Sequence, residues 1–365
     1  MTKKKRIVIA SGGTGGHIFP AYSLADYFIK NNYNVKLTTD KRGLNYLNEY
    51  QNLNLKKIPS SPLNKKNILT FSISIFKILF SILNSIIFLI FNRPSIVFGM
   101  GGYSSFPVCI AAIILKIKFV IYENNLIIGK TNKILLPFAK KIFVSYKDLE
   151  GIGKKYNYKI SEIGNIVRAE IISLKNEVTN NSRFDQIKIL VLGGSQAAKV
   201  FAVKLPNIFK KLKDSRIPFK VYQQCQNEQN DQLYDFYKKE KIDCEIFNFT
   251  PEIIDYYSKA NLVITRSGAS VLGELINVKI PFISIPLPTA ADNHQFKNAD
   301  YYQKLGMGYL LNEKDINDQL YDLIKSIFRD KSLIKNILLN QSQYSDKNVF
   351  KNVSIHIEKI INEKN

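Results

Sequence analysis

Arg6–Ile18 reads RIVIASGGTGGHI, an apolar strand-like run that breaks into a glycine turn ending on His17. Ile96–Pro107 (IVFGMGGYSSFP) and Lys188–Lys199 (KILVLGGSQAAK) repeat that pattern. Glycine lets backbone approach a phosphate closely, and a helix that starts there offers unpaired N–H groups and the positive end of a dipole. The first and third turns stand half a chain apart, which predicts two nucleotide-type domains facing each other.

Working outward, Ile7–Ser11 is a strand, and Pro20–Asn31 is a helix with Ala21, Leu24, Ala25 and Phe28 on one side. Val35–Thr39, Ser95–Phe98, Phe119–Tyr122, Ile187–Leu192, Phe219–Gln223, Leu262–Thr265 and Pro281–Ile285 read as further strands separated by helix-compatible stretches. Such alternation means α/β domains with parallel sheets covered by helices. Asn157–Ser182, rich in Asn, Ser and Lys, carries the boundary. The first domain is expected over 1–160, a linker over 161–182 and the second domain over 183–347, with 348–365 a helix able to pack back on the first.

At 365 residues the chain can bury two ordinary cores. Cys109, Cys225 and Cys244 share no CxxC spacing and cannot all pair, so reduced thiols in a reducing compartment are expected. The start, MTKKKR, enters a strand without the apolar region of a secretory signal, and no export is expected. A formal charge of +22 asks for an anionic partner, although the abundance of Lys, Ile and Asn along the whole chain explains it equally as compositional bias. Zinc-finger spacing, RNP-like aromatic motifs and Arg-rich arms are missing from the sequence, which argues against a dedicated nucleic-acid binder.

Ile68–Phe91 (ILTFSISIFKILFSILNSIIFLIF) is long enough to cross a bilayer, yet contains Lys77 and Asn84. On a helical wheel Ser74, Lys77, Ser81, Asn84 and Ser85 fall at spacings of three and four, leaving a wide apolar face. Lys56, Lys57, Lys65, Lys66 and Arg93 flank it, as expected beside an anionic leaflet. An interfacial helix partly packed on the domain, a plain core helix and a true span are the three readings.

The first glycine turn also suits a dinucleotide fold, with Asp40 at the end of the second strand as the ribose acid. Its spacing is GGTGG, however, and it ends in His17, placed at a helix start that favours a neutral, base-competent imidazole; a capping role is the alternative. In Thr265–Glu274 (TRSGASVLGE), the turn Ser267-Gly268-Ala269 suits a diphosphate at a helix N-terminus and Glu274 suits ribose hydroxyls, or is simply an early helix acid. Pro286–Ala299 (PLPTAADNHQFKNA) sets Asn293, His294, Gln295 and Asn298 on consecutive turns, as sugar hydroxyls require, although capping explains Asp292 and Asn293 as well.

GGTGGH, GMGGY, GNIVR, GGSQ, RSGAxxxxE and DNHQxxNA, in this order and across nearly the whole chain, resemble the MurG family of bacterial glycosyltransferases. The resemblance implies the GT-B architecture, two Rossmann-like domains with parallel sheets separated by a cleft. It implies transfer of N-acetylglucosamine from UDP-N-acetylglucosamine to undecaprenyl-pyrophosphoryl-muramoyl-pentapeptide at the cytoplasmic face of the inner membrane, by a peripherally attached enzyme, with no cofactor. Carried over by motif, His17 is the candidate base, with Glu123 beside it as a catalytic residue. Thr14, Gly15, Gly16, Asn125, Arg168, Ser195, Gln196, Thr250 (beside Phe249), Arg266, Ala269, Ser270, Val271, Leu272, Gly273, Glu274, Gln295 and Asn298 fall on donor positions. Gly13, Gly101, Gly102, Tyr103 and Asn132 fall on acceptor positions.

Two departures stand out. Tyr122–Asn125 reads YENN where the family reads HEQN, and Gly164–Arg168 reads GNIVR where it reads GNPVR. The chain contains no Asp-x-Asp pair to bridge a metal, so helix N-termini with Arg266 or Arg168 are expected to balance phosphate charge. A UDP-sugar:diacylglycerol glycosyltransferase is the alternative function; a nicotinamide-dependent reductase would be told apart by cofactor rather than UDP binding, and a membrane scaffold would leave the glycine turns and Glu274 unused.

Overall fold

A computed structural model describes residues 4–13, 15–47, 53–61, 67–174 and 185–363, with the backbone alone for residues 195–198. Thr14, Lys65 and Lys66 therefore lie outside the described residues, as do the side chains of Ser195 and Gln196. The chain divides into two compact units. Unit 1 holds Met1–Arg168 and Asp346–Asn365; unit 2 holds Ala169–Ser345.

In unit 1 the strands are β1 (Arg6–Ala10), β2 (Asn34–Thr39), β3 (Leu55–Lys57), β4 (Ile96–Gly99), β5 (Phe119–Glu123), β6 (Ile142–Val144) and β7 (Ile160–Glu162). They form one parallel sheet in the order β3-β2-β1-β4-β5-β6-β7. Its helices are α1 (Gly15–Lys30), α2 (Lys41–Leu47), α3 (Ile68–Asn92), α4 (Gly102–Ile114) and α5 (Lys130–Leu135). The strand order reverses direction between β1 and β4, the switch point at which open α/β sheets place their ligands. Side chains from both faces of the strands are buried, as a sheet covered on each side requires.

Helix α1 starts at Gly15, five residues before the start expected at Pro20. The glycine turn itself enters the helix, and Pro20 lies inside it. A proline cannot donate to the carbonyl four residues back. The Gly16 carbonyl instead accepts from Asn124 Nδ2 at 3.1 Å, which ties the β5 loop to the first glycine turn.

Unit 2 opens with α6 (Ala169–Ser173) and contains β8 (Ile187–Leu192), α7 (Gly194–Asp214), β9 (Phe219–Gln224), α8 (Asn230–Lys239), β10 (Cys244–Phe247) and α9 (Ile253–Lys259). It continues with β11 (Leu262–Thr265), α10 (Ala269–Val278), β12 (Phe282–Ser284), α11 (His294–Lys304), β13 (Tyr309–Leu310), α12 (Ile316–Arg329) and α13 (Lys331–Ser342). The sheet order is β10-β9-β8-β11-β12-β13, again parallel, with its switch point between β8 and β11. Its core is one cluster that runs from Ile187 and Phe201 through Tyr237 to Ile324.

The chain then returns to unit 1 as α14 (Val349–Asn362). Val349, Val353, Ile357 and Ile360 join the cluster containing Ile7, Phe98 and Phe143, and Phe350 stacks on Tyr27 with ring centres 5.1 Å apart. Tyr33 Oη donates to Glu358 at 2.6 Å, and Lys118 Nζ donates to the Ile360 carbonyl at 3.1 Å.

Helix α3 is amphipathic in an unexpected sense. Asn67 and Thr70 cap it reciprocally, and Arg93 closes it in the left-handed conformation. Ser74, Ser81 and Ser85 are buried, on the side that packs along α4, while Phe76 is 72% and Phe91 80% exposed. The serine hydroxyls donate to carbonyls four residues back, at 2.8, 2.7 and 2.7 Å, so burying them leaves no donor unmet. Small side chains also let the two helices approach closely, and the bulky residues remain outside.

Replacing Ser81 by Leu should overpack this seam and cost about 1–3 kcal/mol in denaturant unfolding; unchanged stability would show that the helices do not meet there. His356 on α14 lies 5.6 Å from the Phe143 ring. Burial, then the charges of Lys141 and Lys359, lower its pKa below the ordinary value. The neutral form is therefore the one the fold favours, and the stability it contributes is present above pH ~6.5 and lost as pH falls further. Melting curves between pH 7 and 5 should show a smaller loss for His356→Gln than for the parent chain, and equal losses would refute the linkage.

Candidate active site

The carboxyl ends of β1, β4 and β5 bring three loops together in unit 1. His17 is the third residue of α1, and its ring lies over the turn that begins α4. A Cβ at Gly101 would stand 3.4 Å from His17 Cε1, and one at Gly102 would stand 3.4 Å from Cδ2. Both glycines have positive φ, 83° and 70°, so the backbone conformation calls for glycine at each, with the His17 ring in ordinary contact. Ser11 Oγ donates to the His17 carbonyl at 2.9 Å and fixes the helix start. The imidazole is thus held at the switch point, partly exposed, where a base for an incoming hydroxyl can stand.

Glu123 lies at the end of β5 and is buried. Its Oε1 accepts from the Asn125 backbone N–H at 3.1 Å and from Asn125 Nδ2 at 2.9 Å; Oε2 accepts from Gly129 N–H at 2.8 Å and Asn132 Nδ2 at 3.0 Å. With both oxygens so occupied, the Glu123 carboxylate holds the loop that carries Asn125, Gly129 and Asn132. Asn132 also donates to the Tyr122 carbonyl at 2.8 Å and is buried beneath Gly101. Asn125 remains partly exposed.

Tyr122, where the resemblance leads one to expect histidine, is buried, and its hydroxyl lies 2.8 Å from Ser145 Oγ. That hydroxyl accepts from Ile166 N–H at 3.0 Å and so pins the GNIVR segment. Burial pushes the Tyr122 phenol above its usual range, so it stays neutral. Asp346 holds the same segment by accepting from Asn165 N–H at 3.0 Å and Asn165 Nδ2 at 3.3 Å. Arg168 closes unit 1 with its guanidinium 5.3 Å above the Phe19 ring.

Asp40 is not placed as a ribose acid. Its Oδ1 accepts from Gly13 N–H at 3.1 Å and Gly43 N–H at 2.8 Å, and Oδ2 accepts from Ser104 Oγ at 3.2 Å and Tyr103 Oη at 3.3 Å. Burial alone works against the charge. The N–H groups of Gly13 and Gly43, with Arg42 and Ser104, outweigh it and hold the carboxyl below its ordinary value. Spacing from the glycine turn pointed to Asp40, but its partners come from that turn and from the first turns of α2 and α4, which only tertiary structure assembles.

In unit 2 the β11 turn leads into α10. Gly268 begins the helix with no side-chain cap, and Ala269, Ser270 and Val271 form its first turn. Glu274 is buried two positions beyond Leu272, and its Oε2 accepts from Tyr257 Oη at 2.8 Å. Tyr257, which sequence reasoning passed over, therefore aims the carboxylate.

Arg266 departs from its expected role of balancing phosphate charge. It is buried; Nη1 donates to the carbonyls of Ile285 and Pro286 at 3.1 and 3.0 Å, and Nη2 pairs with Glu313. Its guanidinium also covers the Phe201 ring at 4.9 Å. Those contacts use Arg266 to brace the loop after β12. Asn298 is likewise fully buried and donates to the Ser267 carbonyl at 3.2 Å, behind the turn and not at its surface. Gln295 Oε1 accepts from Leu287 N–H at 2.9 Å, and Thr250 Oγ1 accepts from Glu252 N–H at 3.1 Å. Phe249 stands half exposed beside it.

Residues 7–144 match the N-terminal domain of glycosyltransferase family 28, and residues 188–353 match its C-terminal domain. A relative from Pelagibacter ubique is 35% identical over 362 residues, covering 98% of this chain and 99% of its own. That protein is a UDP-N-acetylglucosamine–N-acetylmuramyl-(pentapeptide) pyrophosphoryl-undecaprenol N-acetylglucosamine transferase. A relative of the same name from Rickettsia bellii is 35% identical over 347 residues, covering 92% of this chain and 94% of its own. The crystal structure of Acinetobacter baumannii MurG superposes with a TM-score of 0.77 at 22% identity, over 98% of this chain and all of that one, which speaks for the fold. With a parallel Rossmann-like sheet in each unit and near-complete coverage by these relatives, the chain is a GT-B protein and belongs to the MurG family of glycosyltransferases.

Proposed function

We infer that this chain transfers N-acetylglucosamine from its UDP donor to the muramoyl hydroxyl of undecaprenyl-pyrophosphoryl-muramoyl-pentapeptide, with inversion at the anomeric carbon. The observation that carries this reading is the His17 imidazole seated on the Gly101-Gly102 turn at the switch point of unit 1, in a chain 35% identical throughout to transferases of that name. Unit 1 takes the acceptor and unit 2 takes the donor.

The acceptor hydroxyl oxygen attacks the anomeric carbon while its proton passes to His17. The bond from that carbon to the UDP oxygen breaks, and UDP leaves with the electron pair. Charge that grows on the diphosphate meets the N–H groups at the uncapped start of α10. Glu274, held by Tyr257, takes the ribose hydroxyls. Glu123 keeps Asn125 and Asn132 in place around the sugar.

Attachment to an anionic membrane surface runs through α3. Its serine seam lies lengthwise against α4, so the opposite face, with Phe76, Leu79, Phe80 and Leu83 exposed, rests in the interface without spanning it. Exposed Lys56, Lys57 and Arg93 face the headgroups.

Radiolabelled N-acetylglucosamine should pass from its UDP donor to a short-chain lipid-linked muramoyl-pentapeptide and not to diacylglycerol; the reverse preference would assign the alternative acceptor. In the same assay His17→Ala should lower kcat by roughly 10²–10⁴-fold with little change in the KM for the donor. Undiminished turnover would remove His17 as the base. Phe76→Ser combined with Phe80→Ser should weaken sedimentation with phosphatidylglycerol vesicles and leave thermal stability intact, because both side chains are exposed. Equal sedimentation would place the membrane contact elsewhere.

A further inference from the structure

Asp40 and Arg42 are charged residues beside the acceptor loops that the reaction described above does not use. Arg42 Nε lies 3.6 Å from Asp40 Oδ2, and its side chain is half exposed. The guanidinium sits 5.1 Å from the centre of the Tyr103 ring, and a Cβ on Gly13 would stand 3.5 Å from Nη2. Arg42 thus occupies the space between the first glycine turn and the acceptor-facing turn, with one edge held by a carboxylate.

The carboxylate itself joins those two turns. Through Oδ1 it orders Gly13, which has φ of 87°, and through Oδ2 it orders Tyr103 and Ser104 at the start of α4. The fit is close: a Cβ on Gly12 would lie 2.4 Å from Ser104 Cβ and 3.0 Å from Asp40 Oδ1. Loops packed to that tolerance move together or not at all.

We propose that Asp40 is a positioning residue that locks the glycine turn ahead of His17 to the Gly101–Ser104 turn, and that it presents Arg42 to the diphosphate of the acceptor. A planar guanidinium offers paired donors to phosphate oxygens, and a neighbouring carboxylate fixes which edge it shows. The inference rests on the acceptor reading of unit 1 given above. It adds the residue that meets the diphosphate and the one that holds the loops.

The test is steady-state transfer to a soluble short-chain diphosphate acceptor with Arg42→Ala, Arg42→Lys and Asp40→Asn. Arg42→Ala should raise the acceptor KM by about tenfold or more and leave the donor KM within about twofold, and Arg42→Lys should recover only part of the loss. Asp40→Asn keeps one oxygen for the Gly13 and Gly43 N–H groups, so it should raise the acceptor KM and lower kcat together without moving the donor KM. Donor and acceptor KM values rising equally, or acceptor constants unchanged in Arg42→Ala, would overturn the proposal. Arg42 is half exposed, so that variant reports even if Asp40→Asn fails to fold. Absence of transfer by the parent chain in the same assay would refute the acceptor reading itself, and this inference with it.

Discussion

Steric closeness at the switch point of unit 1 governs the rest of that half. The loops after β1 and β4 meet closely: Gly12 has no room for a side chain against Ser104, and Gly101 and Gly102 lie in contact with the His17 ring. Two polar groups of the first loop find partners that reach in from neighbouring strand ends. Asp40 reaches Gly13 from β2, and Asn124 reaches the Gly16 carbonyl from β5. The arrangement concentrates N–H donors and one imidazole on a surface with little bulk, which is what a phosphate-bearing substrate needs.

Unit 2 solves the same topological problem with different supports. Its β11 turn is braced from behind by buried groups, with Arg266 tied to Glu313 and the β12 loop and Asn298 tied to Ser267. On the other side α10 begins with no side-chain cap, and Glu274 is aimed by Tyr257. The two units therefore share a fold, but one exposes a titratable ring where the other exposes a helix start.

Much of this was legible in the sequence because glycine turns after apolar runs announce both switch points, and alternation fixes parallel sheets. His17 could be read from its place at the end of GGTGGH. What could not be read has definite physical causes. The start of α1 was hidden because glycines and Pro20 are poor helix formers, and the Asn124 amide that bonds the Gly16 carbonyl comes from a distant loop. Ser74, Ser81 and Ser85 mark one face of α3 in the sequence, but their polarity does not say that the face points inward; hydroxyls bonded to their own helix pack as small groups. Arg266 and Asn298 share their positions with ligand-binding motifs, and only their neighbours reveal that Nη1 and Nη2 of Arg266 and Nδ2 of Asn298 bond inside the protein.

The return of α14 to unit 1 has a consequence for how the chain matures. Val353, Ile357 and Ile360 fill the same apolar cluster as Ile7 and Phe98, yet they leave the ribosome after all of unit 2. The N-terminal half emerges first but must wait with part of its core uncovered, while unit 2, contiguous in the chain, can close as it appears. A nascent chain thus carries two apolar surfaces on its earlier half, the groove awaiting α14 and the outer face of α3. Only the first is removed by completing synthesis.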